Sequence, residues 1–144
     1  MRQEHLSSIC EAGGISLAYL FGSQATAGAA FLRGDVTALS DDPMTDLDVG
    51  VVMRTPLPAA GTRHLLYSSL QGALGDCFPP FRVDLVLLQE THSVFQFEAI
   101  KGICVYQSSA KKRDQYEMMV LRRAADFRPV LDIFLREVLE EVAT

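Results

Sequence analysis

The chain has 144 residues, 49% of them hydrophobic and 22% charged, with a formal net charge of -5 at pH 7. That length fits one domain, expected to span 1–144, in which folding buries roughly 70% of the unfolded surface. The acidic balance argues against a generic electrostatic grip on DNA or RNA. No stretch approaches the ~20 apolar residues needed to cross a bilayer, and Met1-Arg2-Gln3-Glu4-His5 leads into an amphipathic segment rather than a signal-peptide core. The expected location is cytoplasmic. Cys10, Cys77 and Cys104 form no C-x-x-C pair, and His5, His64 and His92 are not at ligand spacing to them. These cysteines read as reduced, partly buried thiols.

In chain order, residues 3–12 read as a helix ended by Gly13-Gly14. Ile15 to Phe21 is a buried strand broken by Gly22-Ser23. Residues 24–30 are small and suit a short helix or a turn, and 31–44 read as an irregular loop. Thr45 to Met53 is a second strand, terminated by Pro56 and Pro58. A helical pattern covers 61–75. Pro79-Pro80 leads into a third strand, Phe81 to Leu88. Residues 91–101 are helical, and Ile103 to Tyr106 suits an edge strand. The rest, Ser109 to Val142, is helical, with Pro129 expected to break or kink it near Arg128. The pattern is an α/β (α+β) fold, a small sheet with flanking helices and C-terminal helices.

The chemistry concentrates in three places. Gly22-Ser23 ends a buried strand where a ligand can approach the backbone closely, and the Ser23 hydroxyl and following N–H groups suit phosphate oxygens. Alone this signal is weak, because strand-Gly-Ser is common at ordinary turns. Asp46 and Asp48 are two apart on a strand, so they project from one face while Leu47 enters the core. Two carboxylates about 5 Å apart repel by roughly 3 kcal/mol at an effective dielectric of 20. Asp84 lies between apolar neighbours on a later strand. Acidic groups in apolar strands are expensive unless paired or bound to a metal. Mg²⁺ takes hard oxygen ligands and is commonly shared between carboxylates and substrate phosphates. An isolated Asp-x-Asp would more often cap a helix or face water; the three features together favour a metal-nucleotide site. Arg82 shares a strand face with Asp84, either as an ion-pair partner or as a phosphate ligand.

Gly22-Ser23, Asp46-x-Asp48 and Asp84 together resemble the DNA polymerase β-like nucleotidyltransferase superfamily. The strings Leu20-Phe21-Gly22-Ser23-Gln24-Ala25-Thr26, Thr45-Asp46-Leu47-Asp48-Val49-Gly50-Val51 and Arg82-Val83-Asp84-Leu85-Val86 are similar to its minimal members, the MNT antitoxins of HEPN/MNT toxin–antitoxin pairs. Phe97-Glu98-Ala99-Ile100-Lys101-Gly102 and Asp126-Phe127-Arg128-Pro129 resemble the closing layout, so the likeness covers nearly the whole chain. The resemblance implies a nucleotidyltransferase fold with a mixed sheet. It implies that Gly22 and Ser23 hold a triphosphate, that Asp46 and Asp48 bind Mg²⁺, and that Asp84 completes the metal site and helps deprotonate the attacking hydroxyl. It further implies transfer of AMP from ATP to a tyrosine hydroxyl of a partner HEPN toxin. The sequence departs from the family pattern in two ways. Ala29–Asp42 looks like an insertion, and Gln24-Ala25-Thr26-Ala27 lacks the basic residue often found after Gly-Ser, for which Arg33 is a substitute candidate.

Two functions remain open on this basis: an adenylylating antitoxin, or a non-catalytic antitoxin that neutralises its toxin by covering it. Transfer to a small molecule is a third, disfavoured because the chain has little room for an acceptor-binding domain. Lys111-Lys112-Arg113 and Arg122-Arg123 read first as solvated helix faces. Tyr116, Met118, Met119 and Phe127 suit a helical partner or simple packing.

Overall fold

The computed structural model describes residues 1–35 and 46–143. The elements are α1 (Arg2–Ala12), β1 (Ile15–Phe21), α2 (Ala25–Leu32), β2 (Leu47–Met53), α3 (Arg63–Gly75), β3 (Val83–Leu87), a 3-10 turn (Leu88–Glu90), α4 (Ser93–Ile100), β4 (Ile103–Gln107) and α5 (Ala110–Ala143). The strands make one sheet in the order β3-β2-β1-β4. β1 runs antiparallel to β2 and β4, whereas β2 and β3 are parallel. A parallel pair needs a long crossover, and α3 provides it.

Strand alternation sorts the side chains onto two faces. On one, Leu20 of β1, Leu47, Val49 and Val51 of β2 and Leu85 of β3 pack with Leu6 of α1, Ala29 and Leu32 of α2 and Leu74 of α3. On the other, Leu17, Tyr19 and Val52 pack with Ala99 of α4 and Tyr116 and Val120 of α5. The polar groups on this second face are matched. Tyr116 Oη donates to Gln96 Oε1 at 2.7 Å, Gln96 Nε2 donates to the Thr91 carbonyl at 2.9 Å, and Tyr19 Oη donates to Glu117 at 3.0 Å. Ser109 caps α5 by accepting from the Lys112 N–H at 3.1 Å.

β1 has the bounds its composition predicts, and β4 sits at the sheet edge. Of the two options for 24–30, the chain takes the helix and extends it to Leu32. The irregular loop expected at 31–44 is therefore corrected at its start: Phe31 and Leu32 close the helix, and Leu32 is buried. Residues 36–42 lie outside the described residues. The expected interruption at Pro129 is also corrected, because α5 continues through it without a break. An interior proline removes one backbone donor, and the strong i, i+3, i+4 helical pattern on either side keeps the helix going. All three cysteines are unpaired, as expected. Burial raises the thiol of Cys10 to about 12, which leaves it unreactive.

Candidate active site

β1 ends where β2 and β3 begin, so three segments deliver their polar residues to one end of the sheet. Phe21 pairs with Asp48 in the β1–β2 register, and Asp48 pairs with Asp84 in the β2–β3 register. Asp48 and Asp84 belong to the sheet face that α4 and α5 cover farther along, through Leu17, Tyr19 and Val52. Asp48 is half-buried and Asp84 is exposed.

The electrostatics follow from this placement. Burial raises the Asp48 carboxyl above its ordinary value, and the charges of Asp84 and then Asp46 add to the effect, as does a hydrogen bond with Asp84. Asp48 and Asp84 thus behave as a close acidic pair. Asp46 stands just before β2 and receives a hydrogen-bonded ion pair from Arg82 Nε at 2.6 Å. The backbone ties the same two segments, because the Leu47 N–H donates to the Arg82 carbonyl at 2.8 Å. Of the two roles open to Arg82, the structure displays the ion pair.

Gly22 turns the chain at this point with φ +77°, a conformation that favours glycine. A Cβ added here would run into the Asp48 carboxylate. Gly22 therefore allows β1 to end directly against the acidic pair. Ser23 follows, exposed, and the Ala25 N–H donates to the Gly22 carbonyl at 3.3 Å as α2 begins. Beyond Gly22 opens a pocket of about 310 Å³, lined by Phe21, Thr26, Glu98, Lys101 and Gly102 among others. Gly102 packs so tightly on the Leu20 carbonyl that no side chain fits there. That contact fixes the end of α4 against the end of β1.

The donor set suits a hard divalent cation. Asp48 and Asp84 offer carboxylate oxygens, and a cation would offset both the burial and the neighbouring charges that raise Asp48. Asp46 is engaged by Arg82. Among the described residues, no group of three or more His, Cys, Asp and Glu side chains is gathered closely enough to hold a metal ion.

Residues 4–111 match the family model described as Polymerase beta, Nucleotidyltransferase. The chain belongs to this nucleotidyltransferase family. No protein of curated function matches it significantly. Among solved structures, the fold is similar to a mutant of the MntA–HpeT toxin–antitoxin (13% identity, TM-score 0.64, all of both chains covered). It is also similar to a toxin–antitoxin with AMP-PNP (15% identity, TM-score 0.60, all of both chains). A third is the tri-AMPylated Shewanella oneidensis HEPN toxin in complex with MNT antitoxin (15% identity, TM-score 0.57, 99% of this chain and 97% of that one). At such identities the likeness is one of fold.

Within this nucleotidyltransferase, Gly22, Ser23, Asp46, Asp48 and Asp84 all reach the same end of the sheet, from three segments. Arg33, the substitute candidate for a basic residue, is exposed and paired with Asp35 at 3.3 Å. The cation that does line the pocket beside Gly22 is Lys101. It is far from Gly22 in sequence, and only the pairing of β4 with β1 places it there. The one signal for it was Gly102, a glycine directly before a short strand, which marks a close backbone approach.

Proposed function

We propose that this chain is a Mg²⁺-dependent adenylyltransferase that moves AMP from ATP onto a tyrosine hydroxyl of a partner protein of the HEPN toxin class. The carrying observation is the Asp48–Asp84 pair set against Gly22, which joins a repelling pair of carboxylates to a backbone opening. Two solved structures whose matched chains share this fold, the tri-AMPylated HEPN toxin in complex with MNT antitoxin and the toxin–antitoxin with AMP-PNP, support this donor and this acceptor class. Among the described residues no helix is long and apolar enough to cross a membrane, and we place the reaction in the cytoplasm.

Gly22 and Ser23 would hold the triphosphate, with Ser23 donating its hydroxyl to a phosphate oxygen. Asp46, Asp48 and Asp84 would hold Mg²⁺, which when bound supplies charge neutralisation for the phosphates and the developing oxyanion. The tyrosine oxygen forms a bond to the α-phosphorus, the bond to the bridging oxygen breaks, and pyrophosphate leaves with that electron pair. A phenol with a pKa near 10 is a poor nucleophile until its proton is withdrawn. Asp84, the exposed member of the pair, would accept that proton.

A second reading has its own observation. Arg82 occupies Asp46, and residues 24–27 carry no cation, which favours an antitoxin that acts by binding alone. Calorimetry of ATP with and without Mg²⁺ separates the two. The enzyme reading expects much tighter binding with Mg²⁺; equal affinity in both conditions removes the metal role.

A further inference from the structure

The pocket beyond Gly22 has no part in the roles given to the carboxylates, yet it shares a wall with them. Gly22 touches the Asp48 carboxylate on one side and lines this pocket on the other. A triphosphate whose α-phosphate sits at Asp48 and Asp84 and whose tail crosses Gly22 enters the pocket with its β- and γ-phosphates. Those phosphates carry most of the ligand's negative charge. Arg82 stands on β3's side of the site and is engaged with Asp46.

We infer that Lys101 is the cation that binds the leaving pyrophosphate, so that α4 and β4 supply what residues 24–27 lack. This rests on the nucleotide reading given above. Among the described residues lining the pocket, Lys101 is the one cation. Its Nζ is held by Glu98 Oε1 at 3.1 Å, one helical turn back, and stands 5.2 Å from the Phe97 ring centroid. The ion pair is exposed, with side-chain exposures of 53% and 59%, and such pairs contribute little to stability. A phosphate can therefore take the ammonium from Glu98 at small cost. Glu98 lines the same pocket, so it keeps Lys101 in place when the pocket is empty and opposes anions that arrive without a cation. Thr26, in the first turn of α2, also lines the pocket and adds a hydroxyl-bearing side chain. Gly102 prevents this arrangement from drifting, because it holds the end of α4 on the Leu20 carbonyl.

The test is the affinity of the full chain for ATP, ADP and AMP in Mg²⁺, measured by calorimetry for wild type, Lys101→Met, Lys101→Arg and Glu98→Gln. Thermal melting reports the fold of each. The expected result is a loss on the order of tenfold or more for ATP in Lys101→Met, the size of one charge-assisted hydrogen bond. AMP binding stays unchanged, Lys101→Arg recovers most of the ATP affinity, and Glu98→Gln tightens ATP. Equal ATP affinity in wild type and Lys101→Met overturns the assignment and leaves the nucleotide reading standing. Equal losses for ATP and AMP also overturn it, because they place Lys101 away from the terminal phosphates. A wild type that binds no nucleotide overturns both.

Discussion

Asp48 and Asp84 are register partners on parallel strands, but only Asp48 is packed against Gly22 and partly withdrawn from water. Two chemically identical groups thus have unequal surroundings, which is how a site divides labour between carboxylates. Asp48, whose charged form is disfavoured by burial and by its neighbours, gains most from a cation. Asp84 is open to solvent, which is why we propose it as the group that meets the incoming hydroxyl.

This inequality predicts a pH signature. A carboxyl raised in the folded state holds its proton more readily there than in the unfolded chain. Its charge therefore destabilises the fold above the raised value, and that penalty vanishes below the ordinary value of 3.8. Asp48→Asn is expected to raise the melting temperature at pH 7 without metal. The gain should shrink as pH falls through the window between the raised value and 3.8. Melting curves across pH check this, and a variant less stable at pH 7 would assign Asp48 a structural role.

Gly22→Val combines a backbone strain with a collision. Gly34 has φ +81° with nothing within 4 Å of an added Cβ, so Gly34→Ala carries the strain alone. That strain is about 1–2 kcal/mol. Gly22→Val should lose more stability than this and should displace Asp48, with nucleotide affinity falling sharply. Gly34→Ala should keep wild-type nucleotide affinity. Matching affinities in the two variants would separate Gly22 from the ligand.

The sheet was readable because its signals are local. Ile15 to Phe21 is a continuous apolar run bounded by glycines, and the alternation around Asp46, Leu47 and Asp48 fixes which side chain enters the core. The pairing of Asp48 with Asp84 adds the β2–β3 register to this alternation, and Asp46 is drawn to Arg82 instead. Helix α2 was harder to read, because Ala25 to Ala30 are small and carry little periodicity; the burial of Ala25, Gly28 and Ala29 in the core with Leu20 and Leu47 decides the matter. Pro129 is a single local breaker inside a long helical pattern, and the pattern prevails. Lys101 and the Arg82–Asp46 pair depend on strand order, which no local pattern encodes.

Arg82→Gln tests the competition for Asp46. The pair is largely exposed, so its loss should change stability by no more than ~1 kcal/mol. Removing the guanidinium releases Asp46 and takes a positive charge from the site, so Mg²⁺ alone should bind several-fold more tightly. Calorimetric titration with Mg²⁺ in the absence of nucleotide reads this. Weaker Mg²⁺ binding in the variant would show that Arg82 positions Asp46 for the metal instead of competing with it.

Tyr116→Phe probes how α5 is held to α4. It removes the 2.7 Å hydrogen bond and leaves Gln96 Oε1 buried without its donor. The expected loss is about 1–3 kcal/mol in chemical denaturation. The ring's packing near Tyr19 at a 6.3 Å centroid distance remains. A change below ~0.5 kcal/mol would mean that water replaces the donor.

The central claim is nucleotidyl transfer to a partner protein, and intact-mass spectrometry tests it most directly. The chain is incubated with ATP, Mg²⁺ and a HEPN-class toxin protein, alongside the Asp46→Asn/Asp48→Asn double variant. The account predicts one or more AMP additions on a tyrosine of the partner with the wild-type chain and none with the double variant. A partner that gains no mass with wild type, yet is neutralised equally well by both chains, would contradict the account and establish an antitoxin that acts by binding.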